Sequence, residues 1–491
     1  MKKNNASYNQ IIKTTAIFGG SQVLVVLIGL VRTKIIAVLL GPVGIGLISI
    51  YQSLTDLIRS ACLLGMDTAV VKEVAEATVE ENKDVLFKTI SRFNKWFNAS
   101  ALIALFACIV FCYPISLWVF DDSKYAIHIA ILSVSISMLV LATGKSAILQ
   151  GMRRISEMAK AAVLGGFIGL LATIPVYYFW RLDGIIPALI INSIIGLLCA
   201  EYYYRRQGIK KVALSNREAF NSGLDTLKLG IYIIVSGFIA TLSMFAIRAF
   251  ISRNIDVDAA GLFQASWVIT NVYFGIILRA MGSDFFPRLS AISQDENEFK
   301  KLANEQSYIV LALTSPVIVV MLLFSEPILS LLYSSQFVYA DTVLQWQLLG
   351  AFFKIVTWPI SFILLAKNRG FIFLITEIIF YGAYLLSAYL LFPRYGLEAA
   401  GIGYFVAYTV YLPVMFFTCR SISNFGWNKS VGRMILINLF LVAASFYITF
   451  FHKGNMLLCT AIMAISFLYT YFRLKKVFSV EDLKNWFRKK G

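Results

Sequence analysis

From residue 11 to residue 40 the chain reads IIKTTAIFGGSQVLVVLIGLVRTKIIAVLL, passes through Gly41-Pro42-Val43-Gly44, and from 45 to 66 reads IGLISIYQSLTDLIRSACLLGM. Each run is long enough to cross a hydrocarbon core, which takes about 20 apolar residues in helical form. A helix satisfies its own backbone in lipid, and the Gly-Pro break between the runs ends one helix and starts the next. The unit is therefore a helical hairpin, and it recurs along the chain. We read spans at 11–40, 45–66, 96–120, 125–149, 161–180, 185–204, 229–252, 259–281, 308–333, 343–366, 371–392, 399–419, 434–451 and 456–472. The expected fold is all-α, a polytopic membrane bundle of about 14 transmembrane helices.

Composition agrees. Of 491 residues 59% are hydrophobic and 14% charged, against roughly a quarter charged in soluble domains. The longest gaps, 67–95, 205–228 and 282–307, are too short for a soluble catalytic domain, so function must lie within or between helices. The first apolar stretch is too long for a secretory signal and no small-residue cleavage site follows it, so Met1 onward is expected to be retained.

Of the 44 Lys and Arg, 31 fall in loops on the N-terminal side of the membrane, five on the other side and eight inside spans. Under the positive-inside rule both termini are cytoplasmic. The net charge of +17 then reflects topology and contact with anionic lipid, and nucleic acid is not an expected partner. Cys62, Cys108, Cys112, Cys199, Cys419 and Cys459 lie in or beside apolar spans without metal-site spacing, and read as small hydrophobes.

One segment, with Phe87, Ile90, Phe93 and Phe97 among Lys83, Lys88, Arg92 and Lys95, reads as an interfacial amphipathic helix, and a second, with Leu483, Trp486 and Phe487 among Lys484, Arg488, Lys489 and Lys490, reads either as another or as a solvated charged tail. The polar stretch with Arg205, Arg206, Lys210, Lys211 and Arg217 divides the chain. The expected organisation is a six-helix bundle at 1–204, a basic cytoplasmic linker at 205–228, a second six-helix bundle at 229–420 around a shared central cavity, and two extra helices with a basic tail at 421–491. An internal repeat supports two halves. Arg32 is followed fourteen residues on by Gly46-Leu47, and Arg248 thirteen residues on by Gly261-Leu262; the spacing departs at the next member, with Arg59 thirteen and Arg279 eighteen residues beyond the glycine.

Signals of soluble enzymes are sparse. His128 and His452 are the only histidines, and Gly144-Lys145-Ser146 lacks the glycine that a phosphate loop needs five residues earlier, where Leu139 stands. No catalytic residue, metal or cofactor is expected. The informative residues are the charges inside spans: Lys13, Arg32, Lys34, Arg59, Lys145, Arg248, Arg279 and Lys354 against Asp56, Glu201, Glu326 and Glu377. A charge at mid-membrane costs about 2.5–3.5 kcal/mol even on the gentler scale, so these groups face a wet cavity, a partner or the interface. Their excess of cations predicts a cavity that attracts phosphate or pyrophosphate, which Arg grips bidentately.

Arg32, Arg59, Arg248 and Arg279 are the candidate substrate-binding residues. Arg32 and Lys34 lie about 200° apart around a helix, and Arg32 is favoured because Arg248 echoes it. Asp56 and Arg59, at i,i+3, share a face and could neutralise each other. Lys13 and Lys145, near span ends, read as snorkelling. The aromatics, including Tyr202, Tyr203, Tyr204, Trp346, Trp358, Tyr404 and Tyr411, read mainly as interfacial anchors. Glu377 is the candidate ion-coupling group, since a carboxyl deep in a span could take up and release a proton as access alternates; the competing reading is a static pair with a base such as Lys354.

The run GLVRTKIIAVLLGPVGIGL at 29–47, followed by LGMDTAVVK at 64–72, resembles the opening of Wzx-type polysaccharide and O-antigen flippases of the multidrug/oligosaccharidyl-lipid/polysaccharide exporter superfamily. FPRLS at 286–290 and LQGMRR at 149–154 resemble the same family at the ends of helices 8 and 4. The resemblance covers roughly the first 420 residues. It implies two six-helix bundles, alternating access, and an undecaprenyl-pyrophosphate-linked oligosaccharide as substrate at the bacterial inner membrane, with membrane lipids, a polysaccharide polymerase and chain-length proteins as partners. Arg32 and Arg59 also match positions where related lipid-precursor flippases carry cavity arginines. The two spans beyond residue 420 depart from the family's common twelve-helix form. The rivals are a multidrug exporter of the same superfamily, disfavoured by the basic residues, and a membrane polymerase or glycosyltransferase, which would need a large external loop or a carboxylate-rich site.

Overall fold

The computed structural model describes residues 2–79, 83–210, 212, 231–451 and 455–475, and at 2–19, 79, 272, 273, 276, 277, 279, 280, 283 and 451 the backbone alone. Most of the linker and the amphipathic stretch at 483–490 lie outside these residues. The described chain is helical with no strand, and it divides into two compact units, residues 1–261 with 332–334 and residues 262–331 with 335–491.

In the first unit, α1 (Lys2–Leu63) would span about 93 Å if straight, three hydrocarbon thicknesses. It breaks at Gly41, where φ is 64° and ψ −164°, a conformation that a side chain disfavours. Pro42 follows, at the start of the second arm, where its missing N–H is no loss. The Arg181 guanidinium donates to the Leu39 carbonyl at 2.9 Å, satisfying an acceptor that the break orphans. α2 (Met66–Val79) fills part of the gap left unassigned between spans.

α3 (Lys83–Phe120) is one 38-residue helix that starts well before its apolar span. Its stripe corrects the interfacial reading: Ile90, Phe93 and Phe97 are buried in protein, packed against α2 and α4 (Tyr125–Gly151). Phe97 lies so close to Gly144 of α4 that a methyl there would meet its ring at 2.5 Å. α5 (Ile155–Trp180) and α6 (Ile185–Arg205), joined by one tight turn at Arg181–Gly184, and α7 (Ile231–Asn254) complete the unit.

The second unit holds most of α8 (Val257–Trp267), a π-turn at Val268–Tyr273, α9 (Phe274–Ala291), α10 (Glu296–Leu323), α11 (Ser325–Leu332, almost entirely), α12 (Asp341–Ala366), α13 (Gly370–Tyr395), α14 (Glu398–Ser423), α15 (Lys429–Phe451) and α16 (Met456–Lys475). Its centre is α12, whose Leu344, Leu348, Phe352, Ile360 and Leu364 are buried against α10 and α14. A helix apolar all round must be enclosed or face lipid, and α12 is enclosed. The two helices past residue 420, α15 and α16, pack on α10.

Eleven described segments are long and apolar enough to cross a membrane. Two of them, Gly20–Leu63 and Ile155–Arg205, have 44 and 51 residues, enough for two crossings each. The helical run 257–291, interrupted by its π-turn and carrying Arg279, Asp284 and Arg288, is not among the eleven. The protein is a multi-pass membrane protein, and exposed side chains such as Phe106, Val110, Phe179, Leu390 and Leu457 are its lipid-facing surface.

Under the orientation expected from the placement of Lys and Arg, Ser123 and Gln336, both exposed, lie on the non-cytoplasmic side. Cysteines placed there should react with an impermeant thiol reagent in intact cells, whereas a cysteine at Ser215, in the linker outside the described residues, should not. Labelling at Ser215 would reverse the orientation.

Candidate substrate-binding site

The second arm of α1 and the start of α8 approach through two glycines. A Cβ on Gly46 would lie 2.0 Å from the Val257 carbonyl oxygen and 3.0 Å from the Gly261 nitrogen; one on Gly261 would lie 2.0 Å from the Pro42 oxygen and 3.0 Å from the Gly46 nitrogen. Each glycine thus rests on the carbonyl four residues before the other. This reciprocity is what two-fold-related segments produce, and these are the two glycines of the internal repeat.

Asp56 lies on the second arm of α1, about 15 Å along the helix from Gly46 at 1.5 Å per residue, and Arg248 lies on α7, the helix before α8. Arg248 is buried, 7% exposed, and within electrostatic reach of Asp56. Arg59 Nη2 donates to Asp56 Oδ1 at 3.0 Å, both side chains remaining part-exposed. Both guanidiniums therefore act on one carboxylate.

Arg32 stands apart from this group. Its Nη1 donates to Asn192 Oδ1 of α6 at 3.1 Å, while Nη2 is buried with no hydrogen-bond partner among the described residues. Asn192 fits because position 169 of α5 is glycine: a methyl there would stand 2.4 Å from Oδ1. The guanidinium is thus held at one edge and retains donors at the other. Arg279 belongs to α9 in the second unit, and its side chain is outside those described.

The second unit contains its own polar cluster. Tyr411 donates to Glu377 Oε1 at 2.8 Å, and Lys354 lies within electrostatic reach of the same carboxyl. Lys354 and Tyr404 both donate to Asn271 Oδ1, at 2.7 and 2.9 Å. Asn271 sits in the π-turn, a local widening of the helix common at functional sites. Phe380, Tyr384 and Tyr408 pack around Tyr404, and Phe380 and Tyr408 also meet Tyr411.

These contacts correct two expectations. Tyr404 and Tyr411 are core residues, not interfacial anchors, because their hydroxyls find acceptors inside the bundle. Lys145 does not snorkel to open water: its ammonium lies 3.3 Å from Glu201 of α6. Asn192 and Asn271 were not singled out from the sequence. The available signal was a lone amide in an apolar run, IINSII and ITNVY, since an amide in lipid needs a partner as a charge does.

Comparison with known proteins agrees with this fold. The chain is 20% identical over 387 residues to the lipid III flippase of Escherichia coli (strain K12), spanning 78% of this chain and 92% of that protein. It is 24% identical over 379 residues to a putative O-antigen transporter of Shigella flexneri, spanning 74% and 87%. Among solved structures it resembles the lipid II flippase MurJ in its inward closed conformation, with a TM-score of 0.73 at 16% identity over 94% of this chain and 98% of that one. These relatives are flippases and transporters, not enzymes. Residues 35–341 match the model of the polysaccharide biosynthesis protein family, and the chain belongs to that family.

Proposed function

We propose that the protein moves an undecaprenyl-pyrophosphate-linked oligosaccharide, a repeat unit of O-antigen or a similar surface polysaccharide, from the cytoplasmic to the periplasmic leaflet of the bacterial inner membrane by alternating access. The observation that carries this reading is Arg32, whose buried Nη2 has no hydrogen-bond partner among the described residues, supported by Arg248 and Arg59, which both act on Asp56. Guanidinium donors in a poorly solvated site suit the adjacent oxygens of a pyrophosphate, and the named relatives are a lipid III flippase and a putative O-antigen transporter. Arg279 is retained as a candidate contact from its place in the sequence. The excess of cations inside the spans disfavours an organic cation as cargo.

Glu377 is the coupling group in this proposal, with Lys354 close enough to respond to its charge. In proteoliposomes the wild-type protein should flip a labelled undecaprenyl-pyrophosphate oligosaccharide, faster under a pH gradient, and should leave ethidium untransported. Transport of ethidium without flipping of the lipid would overturn the proposed cargo. Glu377→Gln keeps the shape and accepts the Tyr411 hydrogen bond but cannot titrate. It should bind lipid-linked saccharide as before and lose the gradient dependence. Unchanged dependence in a folded variant would leave Glu377 a structural partner of Tyr411.

A further inference from the structure

A second cationic pocket lies at one end of the first unit, where the long helix α3 enters its apolar stretch and α4 and α6 end. It has a volume of about 540 Å³ and is lined by Ser91, Asn94, Asn98, Lys145, Tyr204 and Arg205, with Lys95 and Glu201 at its wall. Glu201 receives two cations, Lys145 at 3.3 Å and Arg205 at 2.7 Å. Lys145 also donates to Asn94 Oδ1 at 3.0 Å and sits 4.0 Å from the centre of the Tyr204 ring, while Asn94 Nδ2 donates to the Tyr204 hydroxyl at 2.9 Å. The lining therefore holds three cations and one carboxylate, on side chains fixed by one another, at the end that the charge distribution assigns to the cytoplasm.

What lies below the pocket identifies the ligand. Ser91, Asn94, Lys95 and Asn98 recur at three- and four-residue steps, and the same face of α3 continues through Leu102, Phe106 and Ile109, which are 57, 62 and 44% exposed. On α6 the face that carries Glu201, Tyr204 and Arg205 continues toward mid-membrane through Leu198 and Ile194, which are also exposed. A polar, net-positive cup thus sits over two apolar, lipid-exposed stripes, complementary to an amphiphile with an anionic head. We propose that this pocket holds the phosphate-bearing headgroup of an anionic membrane lipid, whose acyl chains lie along Leu102, Phe106 and Ile109 of α3 and Leu198 and Ile194 of α6. The site lies wholly in the first unit and is independent of the arginines assigned to the cargo.

The test is lipid retention by the purified full chain, read by native mass spectrometry after incubation with dioleoyl phosphatidylglycerol or dioleoyl phosphatidylcholine. Phosphatidylglycerol should be retained preferentially. Asn98→Asp places a negative charge at an exposed rim position and Arg205→Gln removes a cation that is 77% exposed, so both should fold. Each should lower phosphatidylglycerol retention by about fivefold, the effect of one interfacial cation. Lys124→Gln, in an external loop, should leave it unchanged. Equal retention by wild type and both pocket variants would overturn the site. Displacement of the lipid by inorganic phosphate or glycerol phosphate at equal concentration would overturn the lipid assignment, because it would mean that the apolar stripes contribute nothing. Retention is measured without transport, so failure here is distinguishable from failure of the proposed flipping activity.

Discussion

Arg248→Ala and Arg32→Ala are each expected to abolish export of surface polysaccharide while protein persists in the membrane. A charged hydrogen bond to an anionic ligand is worth about 1.5–3 kcal/mol, so losing one guanidinium lowers affinity for a pyrophosphate roughly ten- to a hundredfold. Arg248 should show the larger defect, being the more deeply buried of the two and sharing Asp56 with Arg59. Lysine should restore little at either position, since one ammonium cannot reproduce two parallel N–H donors. At Arg32 it would also have to keep the Asn192 contact with a single nitrogen. Immunoblotting of membranes alongside a surface-polysaccharide assay separates lost binding from lost folding. Full export by both alanine variants would sink the assignment of these residues to the cargo.

Gly46→Val and Gly261→Val should be comparably severe, for a steric reason. The carbonyl oxygens of Val257 and Pro42 stand 2.0 Å from where each Cβ would be, and ordinary contact begins at 3.4 Å. Backbone oxygens cannot rotate aside as side chains do, so the helices must separate. Overpacking of this kind costs about 1–3 kcal/mol, and thermal unfolding of the detergent-solubilised protein should move down by several degrees. Even Gly→Ala should be felt at both sites. The double substitution should cost less than the sum, because the first Cβ already parts the helices that the second would clash with. Gly196→Ala, with nothing within 4 Å of the new methyl, is the control and should be neutral. Wild-type melting and export in Gly46→Ala would show that the crossing relaxes freely.

Much of this protein was determined along one dimension. Apolar runs of span length and the one-sided placement of Lys and Arg define a many-helix membrane protein, Gly41-Pro42 marks the first break, and 29–47 with 64–72 point to the family. The charged residues in spans could also be named, because lipid makes each of them an exception that requires a reason. Their partners could not. In water an apolar face signals the protein interior, but in a membrane the lipid side is equally apolar, so the pattern at Phe93 and Phe97, buried against protein, resembles that at Phe106, exposed to lipid. Only packing decides between them, and only packing joins groups far apart in sequence: Arg32 to Asn192, Arg248 to Asp56, Lys145 to Glu201, and Lys354 and Tyr404 to one amide in a π-turn. The sequence named the charges that lipid would not tolerate alone, and the tertiary structure chose what each of them is paired with.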